Sequence, residues 1–265
     1  MNDTRRVEYV CHNDWHLCDN HDMTANTSAT AAEDLPLHDR LLDEWGTSII
    51  DGHIAPGDRL PDPAPGPDGT VPSRTVTREA TRVLESMGLV SVRRKAGATV
   101  NPIATWNVFD PQVIQWRLGG AYRLNALNEL SQLRAAVEPM AARLAATHAT
   151  PEQWGTLTEA AVGMVAHSNH ADEHEYLDAD KLFHRTLLEA SGNLMFAALG
   201  DVVASTLEGR TTHELMPAVA NQEALDLHAE VAALIRKGDG NGAEAAMRRI
   251  VDESADAITR IAAGD

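Results

Sequence analysis

Apolar residues recur along this 265-residue chain with two different periods, and the change of period predicts its elements. In residues 35–53, LPLHDRLLDEWGTSIIDGH, Leu37, Leu41, Leu42, Trp45, Ile49 and Ile50 fall at helical spacing. A second helix is expected from Ser73 to Met87, where Val76, Ala80, Val83, Leu84 and Met87 form a buried stripe. Ser73 suits its N-cap and Gly88 stops it. LVSVRRKAGATV then alternates, as two short strands do about a turn at Lys95, Ala96 and Gly97. From about Leu124 onward successive segments repeat every 3.6 residues with short breaks between most of them, NLMFAALGDVVASTLEGRTTHEL reading as one helix. That pattern predicts a mainly α fold ending in an all-α bundle of six or seven helices.

Helix, intervening region, helix and hairpin is the order of a winged helix-turn-helix, here residues 35–101. NPIATWNVFDPQVIQWRLGG, within 102–121, links it to the helical part at 122–262. The intervening region breaks the pattern. DPAPGPDGTVPSR, residues 62–74, holds Pro63, Pro65 and Pro67, each costing about 3 kcal/mol in a helix interior. No ordinary helix is expected there. Residues 1–34 show no hydrophobic period and are expected to be a disordered tail. The tail contains Cys11, His12, His16, Cys18 and His21, ligand types that suit zinc, but their spacing matches no closed site, and an extended tail is the plainer reading.

Charge sharpens this picture. The net charge is −17, which excludes a surface wholly coated by nucleic acid, yet residues 71–100 carry six basic side chains against Glu79 and Glu85. A local basic patch is the relevant pattern, because phosphate attraction acts over roughly 8–10 Å at ordinary salt. Ser73, Arg74, Thr75, Thr77 and Arg78 fall in the first turns of the second helix, the end from which recognition helices reach base edges. Arg93, Arg94 and Lys95, with Gly97, mark the hairpin tip, within reach of phosphates or a minor groove. A solvated basic helix beside a hairpin is the alternative. Two cysteines imply no disulfide framework, and neither a run of about 18 apolar residues nor an apolar leader is found. A cytoplasmic protein without membrane partners is expected.

In the helical part, Asp180 and His184 are four apart and share a helix face, and His228 begins the buried face of a later helix. An Asp and two His converging inside a bundle would suit a divalent metal such as Zn, Ni or Mn. A buried Asp–His hydrogen bond with an unrelated His remains the alternative. Arg134 and Glu138 are also four apart, the spacing of a solvated intrahelical pair. No general base, nucleophile or cofactor loop is identifiable near the Asp–His set, so an enzyme is not expected.

IIDGHIAPGDRLP, SRTVTREATRVLESMGLV and RRKAGATV together resemble the reading head of GntR-family transcription regulators over residues 37–101. The resemblance implies operator DNA as partner and contacts through Ser73, Arg74, Thr75, Arg78 and the wing around Gly97. Such heads carry a helix with a phosphate-contacting Arg where this chain has its proline segment, that Arg position falling near Ala64, although the thirteen-residue length is kept. DNA binding is expected to be retained but weakened; the alternative is a metabolite-sensing helical protein with impaired DNA binding. LSQLRAAVEPMAARLAA, DADKLFHRTLLEASGN, LHAEVAALIRKGD and AEAAMRRI resemble the FCD effector-binding domain of the FadR subfamily, over about residues 122–262. This implies a metal on Asp180, His184 and His228, an effector acid held by Arg134, and a homodimer; Arg210 is a second, weaker candidate for the acid, and Asn193 suits a cap on the next helix better than a ligand contact. The subfamily's usual third metal His is replaced by Ile250. The linker ATWNVFDPQVIQWRL resembles that of subfamily members controlling sugar-acid catabolism, which implies a repressor released by an aldonate such as D-galactonate. Its Trp106 and Trp116 are expected to pack domain against domain.

Overall fold

The computed structural model describes residues 36–66, 69–94, 97–212 and 216–263, with backbone alone beyond residue 258. The expected tail, with its Cys–His set, and Lys95 lie outside the described residues.

The N-terminal part forms α1 (Leu37–Ile50), α2 (Arg74–Ser86) and the antiparallel hairpin β1 (Val90–Arg93) and β2 (Gly97–Val100). Ser73 caps α2 by accepting from the Val76 amide. Gly88 follows at φ +75, where a Cβ would strike the Thr105 carbonyl. Leu41, Trp45, Ile49, Ala80, Leu84, Leu89, Val90 and Val100 close one core.

No helix forms between α1 and α2 among the described residues. Instead residues 57–60 run beside β2. Gly57 donates to the Val100 carbonyl at 2.9 Å, Val100 to Asp58 at 2.9 Å and Leu60 to Ala98 at 3.0 Å. The proline rings forbid the helical ladder, and β2 supplies partners for the backbone groups ahead of them. Pro72 is buried immediately before the cap of α2. The supporting helix is thus replaced by an edge pairing and an anchored ring.

The segment between the two parts holds α3 (Pro111–Gly119), capped by Asp110, whose carboxylate accepts from the Gln112 amide, with Pro111 at the first position. Its residues divide between two cores. Val113 and Trp116 join the N-terminal cluster, whereas Ile114 and Leu118 pack with Leu127, Leu130, Val202 and Ile258. The Trp116 indole donates to Asp43 Oδ1 on α1 at 2.9 Å, and Gln112 donates to the same oxygen at 3.1 Å. Trp106 lies partly buried against the head core and donates to the Asn101 carbonyl.

The helical part comprises α4 (Arg123–His148), α5 (Pro151–Ala166), α6 (His174–Ala190), α7 (Leu194–Ala197), α8 (Gly200–Thr212), α9 (Gln222–Lys237) and α10 (Gly240–Ala263). The segment read as one helix from Asn193 is broken into α7 and α8. α10 lies along α4 and α9; α6 packs on α4, α5 and α8. Thr150 and Gln153 form a capping box on α5, and Gly238, at φ +77, ends α9.

One close approach fixes α3 against α1: a Cβ on Gly46 would come within 2.4 Å of the Trp116 ring. Gly46→Ala is expected to destabilise the protein by about 1–3 kcal/mol through overpacking, despite the better helix propensity of alanine. Urea unfolding followed by tryptophan fluorescence checks this, and an unchanged midpoint would show that α3 is free to slide.

Candidate functional site

Two surfaces carry the chemistry. The first is the exposed start of α2. Ser73, Arg74, Thr75 and Arg78 are solvent-facing. Thr77 is half-buried, and its hydroxyl donates to the Ser73 carbonyl at 3.0 Å, leaving only acceptor capacity for a ligand. Arg78 stands 3.8 Å from Glu79, which is more closely held by Arg82 at 2.9 Å. Arg74, Arg93 and Arg94 have no ion-pair partner among the described residues. The Val92 amide donates to Glu85 at 3.0 Å and so ties the hairpin to the end of α2. Gly97 has φ +80, and a Cβ there would meet the Arg59 guanidinium at 2.8 Å. Sequence reasoning missed Arg59; the backbone pairing of residues 57–60 with β2 is what brings it to the wing.

The second is a cavity of about 300 Å³ inside the helical part, at the lower end of the range for small-molecule sites. Its wall includes Arg134 from α4, Asp180 and His184 from α6, Arg210 from α8, His228 from α9 and Ile250 from α10. Asn193 is not on it: its side chain caps α7 by accepting from the Met195 amide at 2.9 Å. The structure adds Tyr176, Glu253 and Ser254. The periodicity held a signal for two of these, since Tyr176 lies one turn before Asp180 and Ser254 one turn after Ile250.

Three ligand atoms from Asp180, His184 and His228 lie within 4.8 Å of one another. His228 Nδ1 donates to the Ala224 carbonyl at 2.6 Å, which assigns the lone pair to Nε2. That Nε2 lies 3.7 Å from Asp180 Oδ1 and, although buried, has no hydrogen-bond partner. His184 Nε2 lies 3.2 Å from the same Oδ1, while its Nδ1 stands 3.0 Å from Glu138 Oε2. Each ring thus turns Nδ1 to an oxygen and Nε2 to the common point, and an oxygen on the far nitrogen is what orients an imidazole that binds a metal. The donor set fits a divalent ion. Ile250 adds an apolar wall and no further ligand.

Arg134 and Glu138 pair as the spacing suggested, but in the interior rather than in solvent. Arg134 Nε donates to Glu138 at 2.9 Å, and both side chains are buried. Burial alone would raise the Glu138 pKa; the charges of Arg134 and His184 outweigh it and hold it at about 2. Burial would lower His184, yet Glu138 and Asp180 lift it to about 9. Burial dominates at His228 and pushes it down to about 4, which leaves it neutral near pH 7. Asp180, despite burial, is held well below the usual carboxylate range by His184 and His228.

Comparison with known proteins gives the family of the chain. Residues 129–253 match the FCD domain. The galactonate operon transcriptional repressor of Escherichia coli (strain K12) is 30% identical over 217 residues, covering 82% of this chain and 94% of that protein. The chain belongs to the GntR-type transcriptional regulators with an FCD domain. The HTH-type transcriptional regulator LutR of Bacillus subtilis (strain 168) is 28% identical over 206 residues, covering 75% of this chain and 90% of its own length. Among solved structures, the Listeria monocytogenes protein Lar, described as controlling the agr system, shares the fold at TM-score 0.54 and 16% identity, over 85% of this chain and 98% of that one. These relatives are transcription regulators rather than enzymes, which disfavours the sensor without DNA binding. No helix among the described residues is long and apolar enough to cross a membrane.

Removing the guanidinium that partners Glu138 would strand a buried carboxylate. Arg134→Met is expected to cost about 3–5 kcal/mol of stability, measured by urea unfolding at pH 7. A loss below 1 kcal/mol would mean that His184 alone neutralises Glu138.

Proposed function

We propose that this regulator is a cytoplasmic homodimeric repressor of sugar-acid catabolism, released from its operator by an aldonate such as D-galactonate. The observation that carries the reading is the cavity in the helical part, which joins three converging metal-type ligands to two buried arginines. Asp180, His184 and His228 would hold a divalent ion such as Zn, Ni or Mn, which supplies an open coordination position for an acid or hydroxyl oxygen. The arginines add positive charge on the same wall. Asn193 keeps its capping role. A repressor of galactonate genes among the relatives supports the choice of acid.

Ser73, Arg74, Thr75 and Arg78 would meet the major groove, with Arg93, Arg94, Lys95 and the Gly97 turn on phosphates or the minor groove. Thr77 serves the helix start instead. Two heads in a dimer would read a pseudo-palindromic operator. The switch runs through α8 and α3. α8 carries Arg210 toward the cavity, accepts Gln115 Nε2 of α3 on the Ser205 carbonyl at 3.3 Å, and packs Gly209 against Leu118. An acid that binds one position of α8 better than another biases α3 and, through Asp43, α1.

Fluorescence anisotropy of the protein on its own upstream DNA, at fixed salt, tests the reading. Specific binding weakened by D-galactonate is expected; binding indifferent to the acid would keep the regulator and refute the effector. Arg74→Ala is expected to cost about 1–3 kcal/mol of operator affinity with the fold unchanged. For the metal, Zn, Ni or Mn is expected to raise the melting temperature of chelator-treated protein, and His228→Gln to abolish the rise. An equal rise in that variant would place the ion elsewhere.

A further inference from the structure

We infer that Arg59 takes a DNA phosphate on the outward face of the wing, so that the footprint on the duplex includes the segment ahead of the proline run as well as α2 and the hairpin tip. The inference rests on the DNA-reading role of the N-terminal part and is independent of the effector.

Strand register puts Arg59 on that face. It pairs with Thr99 across an isolated bridge, and Ser91 pairs with the same Thr99 from β1. Directly opposed residues of neighbouring strands point to one face, and successive residues along a strand point to opposite faces. Val90 and Val100 are buried in the N-terminal core, and Leu60 and Ala98 pack against it. The face turned away from that core therefore carries Arg59, Ser91, Thr99, Arg93 and Gly97.

The Arg59 side chain runs along this face from its bridge at Thr99 toward the hairpin tip. A Cβ on Gly97 would come within 2.8 Å of its Nε and 2.9 Å of one terminal nitrogen. Gly97 is the direct partner of Arg93 in the β1–β2 ladder. Neighbouring strands lie about 5 Å apart, so two exposed arginines stand side by side across the ribbon. Two adjacent carboxylates are turned to the backbone instead. Asp58 accepts from the Ala55 amide at 3.0 Å, and Glu85 accepts from the Val92 amide at 3.0 Å.

Like charges gathered on an exposed face are relieved by an anion laid against them, and the planar fork of a guanidinium matches the free oxygens of a phosphodiester. DNA is the source of that phosphate because the ribbon is tied to the end of α2 through Glu85, which fixes the face relative to the helix that reads bases. Arg59 is also held on both sides before binding. Gly57 and Leu60 donate to the Val100 and Ala98 carbonyls, so little backbone freedom is lost on contact. A phosphate contact of this kind positions the head and carries no sequence information.

Fluorescence anisotropy of the full chain, without effector, tests this on its own upstream DNA and on a mixed-sequence duplex of equal length, between about 50 and 200 mM salt. Arg59→Ala is expected to weaken binding to both duplexes by about five- to tenfold and to make the slope of log affinity against log salt shallower by about one. Its urea midpoint is expected to match wild type, because residues 57–60 are paired through backbone groups. Arg59→Lys keeps the charge and is expected to keep the slope. An unchanged slope in Arg59→Ala would overturn the inference, the cation then being spent within the chain or left in water. A lowered urea midpoint in Arg59→Ala, or a slope lost equally in Arg59→Lys, would make the residue structural and overturn it as well. A wild type that binds both duplexes equally, with Arg59→Ala still shallower, would keep the phosphate contact and refute the upstream operator. A wild type that binds neither would refute both.

Discussion

A carboxylate at the dry centre of a helical bundle must be surrounded by positive charge, and Glu138 is such a carboxylate. Taking an ion of this size out of water costs several kcal/mol even after relaxation. The cost is offset by Arg134 one turn earlier on α4 and by His184 reaching across from α6. Because the Arg134 contact is set by helical geometry, the position of α6 is the adjustable quantity, and the 3.0 Å approach of His184 fixes it. Once Nδ1 of that ring is turned to Glu138, Nε2 has one direction left, toward Asp180. The geometry of the cavity floor follows from a charge that touches neither the cavity nor its ligand.

The second constraint is mechanical. α3 is short and apolar on several sides, so it sits between two cores and belongs to both. Where helices meet through a missing side chain, as at Gly46 with Trp116 and Gly209 with Leu118, there is little room for slack. A displacement of α8 is therefore transmitted rather than absorbed.

Much of the architecture was legible in the sequence. The 3.6-residue stripes marked α1, α2 and the bundle helices, and the alternation around Lys95–Gly97 marked the hairpin. Asp180 and His184 could be placed on one face from their spacing alone. The rest depended on contacts between distant segments. Nothing local distinguishes a solvated Arg134–Glu138 pair from a buried one; the difference is made by His184, 46 residues beyond Glu138. Arg59 gained its place at the wing by strand pairing. The break between α7 and α8 was hidden because both halves carry apolar residues.

The proline segment has a consequence for the unfolded chain. A helix that supports a recognition helix gains its order on folding, from hydrogen bonds that compete with water. Pro63, Pro65 and Pro72 restrict φ before folding begins, so less conformational freedom is lost when Ser73 reaches its cap position. Part of the seating of α2 is written into covalent rings, and that part does not fray with temperature as a marginal helix would.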